Sequence, residues 1–275
     1  MNNLQNNNFK FKHSLGQNFI KDEVLLNSIL DDANVAEDSL VLEIGAGAGA
    51  LTSKLCERAV KGKVVSVEID KTLTPILNKK LAKFNNINLI FDDILKLNPS
   101  FIKQEFNNQP FKVVANLPYY ITTPILEYLL NNDFLITDIT VMVQLEVAQR
   151  LSADVGTKNY GAITAILNMY ATTQITQVVD KKMFTPMPKV DSAILHIVLD
   201  KNYNIDKKYI AEVIKKCFLM RRKTLQNNLC SGFNLNKQQA QNIIENDLKR
   251  DIKIRAEMLD LNDFIKLADI LKKLN

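Results

Sequence analysis

The chain has 275 residues, 47% of them hydrophobic and 24% charged, and a formal net charge of +5. It is too apolar to be disordered, and its length fits one large domain, or one large and one small, each with a full core. Its longest apolar runs fall far short of the roughly 20 residues that span a bilayer, so no membrane segment is expected.

The first fourteen residues, MNNLQNNNFKFKHS, are Asn-rich and polar. They lack the apolar stretch of a secretory signal and the arginines of a transit peptide, and residues 1–14 read as a flexible tail. From Ser39 onward, short β-rich apolar runs alternate with helical patterns. The strand-like runs are Leu40 to Ile44, Val64 to Ile69, Ile87 to Phe91, Val113 to Ala115 and Ile139 to Val143. Helical patterns run to about Val60, from Thr72 to Phe84, from Thr123 to Leu130 and from about Glu146. Such alternation predicts a parallel sheet with helices on both faces.

After a Gly-containing loop near Val155 to Gly161, two further runs, Gln174 to Val179 and Ala193 to Leu199, are too close together for a long crossover and suggest an antiparallel pair at the sheet edge. Beyond Asp200 only helical periodicity remains: Tyr209, Val213, Ile214, Cys217, and later Phe264, Leu267, Ile270, Leu271, Leu274. A catalytic domain over 15–200 and a small helical domain over 201–275 are therefore expected. Residues 201–275 carry a net +7 and the preceding residues a net −2, as for a polyanion-binding appendage on a neutral catalytic domain; a solvated helical surface would give the same count. Cys56, Cys217 and Cys230 match no zinc or CxxC spacing, and His13 and His196 are far apart. They read as reduced structural thiols in a cytoplasmic protein, with no metal site.

VLEIGAGAGALT, residues 41–52, is a strand running into a glycine-rich turn and then a helix, the arrangement that brings backbone N–H groups close to a ligand. Gly45, Gly47 and Ala50 also satisfy the dinucleotide pattern G-x-G-x-x-A, and Glu68 ends the next strand at the distance expected of a ribose-binding acid. An NAD-dependent enzyme thus stays open. Glu43 before the turn, and the absence of a basic residue within it, favour a cationic ligand over a pyrophosphate, and S-adenosylmethionine is the cationic cofactor this suggests. Glu68 would then accept from the ribose hydroxyls and Asp93, in FDDILK, from the adenine amine; a turn acid or helix cap is the alternative for Asp93.

VVANLPYY, residues 113–120, ends a strand in Asn-Leu-Pro-Tyr, and ligands in an open α/β sheet bind at the carboxyl ends of strands. The exocyclic nitrogen of adenine is a poor nucleophile because its lone pair is delocalised into the ring. The Asn116 side-chain oxygen and the Leu117 carbonyl, aimed at its hydrogens, would favour a pyramidal nitrogen. Pro118 would stiffen the turn and Tyr119 would stack on the base. Phe184, in MFTPMPKVDSAI, would close over the other face.

HSLGQNFI, EIGAGAGALT, VEID, DDILK, NLPYYITTPI, VQLEVAQRL, FTPMPKVDSAIL and FLMRRKTLQNNL, from near His13 to Leu229, together resemble the ribosomal RNA adenine dimethyltransferases, and the last segment fits the bacterial small-subunit branch best. The resemblance implies a Rossmann-like class I methyltransferase with a mostly parallel seven-stranded sheet and a small all-helical C-terminal domain. It implies that S-adenosylmethionine, with S-adenosylhomocysteine as product, is contacted by Asn18, Ile20, Gly45, Glu68, Asp93 and Asn116, with Gly47 in the same turn. It further implies dimethylation of N6 of two adjacent adenosines in the 3'-terminal hairpin loop of 16S rRNA, within the 30S subunit or its late assembly intermediate, by a monomer. Arg221, Arg222 and Lys223 are the candidate RNA contacts, presented on a helix. Tyr120 departs from the Asn that many relatives carry. A large-subunit dimethylase and a nucleic-acid-binding transcription factor of the same family are the competing readings.

Overall fold

The computed structural model describes residues 19–20, 22–200 and 203–274. The expected tail over 1–14 and the candidate ligand Asn18 lie outside them. The chain divides into two compact units, one of residues up to Ala148 with Thr173–Leu199, the other of Gln149–Thr172 with Asp200 onward.

The first unit is built on a seven-stranded sheet. Its strands are β2 (Leu40–Ile44), β3 (Lys63–Val67), β4 (Ile87–Ile90), β5 (Phe111–Asn116), β6 (Ile136–Gln144), β7 (Thr172–Val179) and β9 (Ser192–Val198), in the order β4-β3-β2-β5-β6-β9-β7. The short strands β1 (Phe19–Ile20) and β8 (Phe184–Thr185) form a separate antiparallel pair. Strands β4 through β6 are parallel to their neighbours, whereas β9 runs antiparallel to β6. Val41, Leu42, Val64, Val65, Val113 and Val114 are all fully buried, as strands covered on both faces require, which is why they read as continuous apolar runs. The connecting helices are α1 (Glu23–Asp32), α2 (Ala50–Arg58), α3 (Thr74–Leu81), α4 (Pro99–Glu105) and α5 (Thr122–Asn131), followed by α6 (Leu145–Leu151).

The chain leaves β2 toward β3 and β4 on one side and returns to β5 on the other. At such a reversal of strand order a crevice opens outside the carboxyl ends of the strands. The turns after β2, β3, β4 and β5 therefore share one edge of the sheet, and they carry Gly45, Glu68, Asp93 and Asn116.

The second unit is helical, with α7 (Ala162–Leu167), α8 (Lys207–Cys217), α9 (Leu225–Phe233), α10 (Lys237–Asn242) and α11 (Leu261–Leu274). Helix α8 is capped by Asp206, which accepts from Tyr209 N–H, and buries Ile210, Val213, Ile214 and Cys217, one face of a 3.6-residue period. Its boundary differs from the expected contiguous split near 200. Tyr160, Ala165, Ile166 and Met169 belong to the same apolar cluster as Ile214, Phe264 and Leu267, so residues 149–172 are drawn in by hydrophobic burial rather than by chain order. Among the described residues no helix is long and apolar enough to cross a membrane.

The entry to β3 leaves no room for a side chain at Gly62, where a Cβ would sit 2.0 Å from the Ser39 carbonyl oxygen. That oxygen also accepts from Lys63 N–H (3.2 Å), so the backbone cannot yield without loosening the β2–β3 register. Gly62→Ala is expected to destabilise the protein by about 1–3 kcal/mol, read as a lower urea midpoint; an unchanged midpoint would show that this turn relaxes freely.

Candidate active site

The glycine-rich turn takes three left-handed residues, alternating with Ala46 and Ala48, with φ of 85° at Gly45, 55° at Gly47 and 73° at Gly49. A Cβ at Gly47 would meet the Phe19 ring at 2.8 Å, so glycine serves both the backbone conformation and the close packing. Helix α2 starts directly behind the turn.

Glu68 ties this turn to the next. Its Oε2 accepts from Gly47 N–H (2.8 Å) and its Oε1 from Asp70 N–H (2.7 Å). Asp70 is itself turned inward, accepting from Thr72 N–H and Oγ1. Each Glu68 oxygen keeps a lone pair for a further donor. Burial holds the carboxyl above its usual range, against the backbone N–H groups of Asp70, Gly47 and Ile69.

Glu43 does not reach the cleft. It is 0% exposed beneath the turn, where its Oε2 accepts from Thr52 Oγ1 (2.7 Å) and from Ser66 Oγ. Its Oε1 has no hydrogen-bond partner. The expected role of Glu43 as a charge facing a cationic ligand is thereby corrected: it joins β2, β3 and α2 from below. Asp93 fulfils the alternative reading, that of a turn cap. Its Oδ1 accepts from Leu95 N–H (3.0 Å), capping the short turn Ile94–Lys96, while the residue still lines the cleft.

The cleft above these turns encloses about 1000 Å³ including its open mouth. Ile20, Gly45, Gly47, Glu68, Asp93, Asn116, Leu117 and Tyr119 all border it. So do Tyr120, beside Tyr119, and two residues the sequence does not single out, Asp92 and Phe19. Asp92 stands beside Asp93 and accepts from its N–H; Phe19 lies inside the HSLGQNFI segment, where only Asn18 and Ile20 had been singled out. Every charged residue lining the cleft among those described is an acid. Asn116 ends β5 opposite Met142 of β6, and Leu117 N–H continues the ladder to the Met142 carbonyl (3.1 Å). Tyr119 Oη lies 2.8 Å from Ser192 Oγ, and burial raises its phenol above the usual range. Tyr120 is 58% exposed at the mouth; burial, then the nearby Asp93 and Glu68 charges, raise its phenol too.

Two expected placements differ. Phe184 is 3% exposed and packs with Ile20, Leu26, Leu51 and Ile194. Its pairing with Ile20 in the β1–β8 ladder turns the ring into the core, so it does not border the cleft. Arg221, Arg222 and Lys223 lie not on a helix but on the turn between α8 and α9. The buried Asn228 side chain stabilises that turn, accepting from Met220 N–H (2.7 Å) and donating to the Met220 and Thr224 carbonyls. All three cations are exposed, and none forms an ion pair with a described acid. Arg221 donates to the Lys158 carbonyl, which leaves its charge unneutralised.

The fold and this cleft define a Rossmann-like α/β methyltransferase. More narrowly, the chain belongs to the ribosomal RNA adenine dimethylase family, whose model matches residues 8–272. It is 41% identical, over 98% of its length and 93% of the relative's, to ribosomal RNA small subunit methyltransferase A of Listeria welshimeri. To the protein of the same name from Streptococcus gordonii it is 42% identical, over 98% and 94%. Among solved structures it resembles a dimethyladenosine transferase from Plasmodium falciparum (TM-score 0.74, 26% identity, 93% of this chain and 98% of that one). The 23S rRNA methyltransferase ErmE is similar (TM-score 0.70, 26% identity, 93% and 100%).

The buried Glu43 makes stability depend on pH. Burial pushes its pKa up to about 7, opposed by the Ser66 and Thr52 hydrogen bonds. Between its unfolded value of about 4.5 and 7 the native state binds the extra proton, so stability is lost as pH rises through that window. Glu43→Gln, which cannot ionise, is expected to gain in melting temperature relative to the parent as pH rises from 5 to 8. Parallel curves for the two proteins would show that Glu43 does not hold the proton.

Proposed function

We propose that the protein uses S-adenosylmethionine to dimethylate N6 of two adjacent adenosines in the 3'-terminal hairpin loop of 16S rRNA, in the small subunit late in its assembly. The observation that carries the cofactor reading is the set of cleft acids, Glu68, Asp92 and Asp93, with no basic residue among the described residues that line the cleft; Lys96, whose Nζ lies 3.8 Å from Asp93 Oδ2, stands outside that lining. A pyrophosphate would be repelled there, whereas a ligand with an ammonium and a sulfonium is favoured, and the turn at Gly47 admits close backbone approach. Glu68 offers its free lone pairs to ribose hydroxyls, and Asp93 its carboxylate to the adenine amine. Gly45, Gly47, Ile20 and, outside the described residues, Asn18 complete the proposed cofactor site. When bound, the cofactor supplies a methyl group made electrophilic by its sulfonium.

Asn116 and Leu117 are proposed to accept hydrogen bonds from the target amine through the Asn116 side-chain oxygen and the Leu117 carbonyl, favouring the pyramidal nitrogen. Tyr119 is the proposed stacking platform. In this reading positioning and the charge of the cleft account for most of the acceleration, and the chain need supply no strong base, because the methylated aminium is acidic enough to lose its proton to solvent. The small-subunit target is favoured by the names of the relatives that match nearly the whole chain.

The test is to incubate the protein with methyl-labelled S-adenosylmethionine and unmodified small subunits and map the label. Two adjacent N6-dimethyladenosines are expected; label only on large-subunit rRNA, or none, would overturn the reading. Asn116→Ala is expected to lower turnover about 100-fold or more, with a much smaller loss of S-adenosylhomocysteine affinity measured by calorimetry. Turnover near that of the parent would remove Asn116 from the reacting site.

Arg221, Arg222 and Lys223 are proposed phosphate contacts, since exposed cations supply affinity for RNA without reading sequence. Replacing all three by Ala should weaken binding to small subunits and flatten the slope of log K against log salt by roughly 2 to 3 units, while leaving S-adenosylhomocysteine affinity nearly unchanged. A parental slope and affinity would take this turn off the RNA-binding surface.

A further inference from the structure

We infer that Ser192 is a positioning residue for the methyl-acceptor base, its hydroxyl holding the Tyr119 ring in the orientation in which it meets the adenine. The inference rests on the proposed role of Tyr119 in the reacting site.

The connection is set by the one antiparallel strand of the sheet core. A parallel strand delivers its last residues to the ligand-binding edge, whereas β9, antiparallel to β6, delivers its first. Ser192 is that first residue and stands opposite Gln144, the last of β6. Next in order, β5 ends at Asn116, paired with Met142 of the same β6. The segment after Asn116 can therefore reach across the end of β6, and Tyr119 does so: its Oη lies 2.8 Å from Ser192 Oγ.

Ser192 is well placed to hold rather than merely touch. It is fully buried, and the residue before it is pinned on both sides. The Asp191 carbonyl accepts from Leu145 N–H (3.0 Å), and its Oδ1 accepts from Lys181 N–H (3.0 Å). Tyr119, in contrast, sits on a four-residue turn bounded by Pro118 and the start of α5, half-exposed and bordering the cleft. A tyrosine ring has two rotatable bonds before the hydroxyl. Stacking against the flat face of a base constrains neither when the site is empty, so the ring must be fixed from its far end. Burial keeps the phenol protonated across the neutral range, so the bond persists at any assay pH near neutrality. A phenylalanine there would present the same face but not the same orientation.

The test is a double-mutant cycle on methyl transfer to unmodified small subunits. Ser192→Ala and Tyr119→Phe each remove one partner of the hydrogen bond and are each expected to lower kcat roughly 3- to 10-fold. The KM for subunits and the S-adenosylhomocysteine affinity should stay within about twofold of the parent. The double variant should be no slower than the slower single one, because the two side chains act through one bond. Losses that multiply in the double variant would mean that Ser192 acts through strand packing, and singles with parental kcat would mean that the ring needs no anchor; either overturns the inference. Tyr119→Ala separates this from the underlying reading. If it abolishes transfer while Ser192→Ala and Tyr119→Phe do not slow it, the inference alone falls; if it leaves transfer intact, the base platform and the inference fall together.

Discussion

The site depends on one carboxylate, that of Glu68, bridging two backbone turns. With one oxygen on Gly47 N–H and the other on Asp70 N–H, it locks the turn after β2 to the turn after β3, and so fixes the floor of the cleft. That bridge joins the bonds from Gly45 N–H to the Val67 carbonyl (2.8 Å) and from Gly49 N–H to the Ala46 carbonyl (2.8 Å) in holding a turn of three left-handed glycines, whose ordering is costly because glycine loses more conformational freedom on folding than any other residue. The bond is also economical, because the two donors leave lone pairs for a ligand. In the proposed function, structural and binding duties thus fall on the same side chain.

Glu43 lies one layer below. Its burial without a full set of partners is costly, and it persists because Thr52 and Ser66 donate to one oxygen and the proton it holds near neutrality relieves the other. Two acids of one sequence neighbourhood thus divide the work, Glu43 joining α2 to β2 and β3, Glu68 bordering the cleft. Spacing alone could not assign them, since both stand at strand ends beside the same glycines.

The sheet was legible because strands buried on both faces read as uninterrupted Val, Ile and Leu, and the glycine turn because no other residue could follow its backbone. The failures have equally local causes. Phe184 was misplaced because its environment is set by a two-residue ladder with Ile20, a long-range pairing with no periodicity to betray it. The turn at 218–224 reads as helix because Arg, Lys and Leu favour helices; the Asn228 side chain overrides that propensity by satisfying the backbone around Met220. Residues 149–172 fall in the helical unit rather than the contiguous catalytic domain that chain order suggests, because burial against distant helices leaves no mark on chain order. Ser192 escaped notice for a similar reason: a serine at a strand end is unremarkable until the topology shows which edge that end occupies.

The same topology sorts charge. A cleft bordered by Glu68, Asp92 and Asp93 is hostile to a phosphodiester backbone, so in the proposed reaction only the neutral base can enter it, and the phosphates must be held by other residues. Base stacking and a few hydrogen bonds supply selectivity but little affinity, so binding of a polyanion has to draw on cations elsewhere in the chain. Residues 201–275, with a net +7 and three exposed cations on the turn between α8 and α9, have that capacity. In the proposed reaction the acidic cleft and the basic helical unit thus meet complementary requirements of two substrates: a cationic methyl donor and an anionic acceptor cannot both be attracted by the same surface.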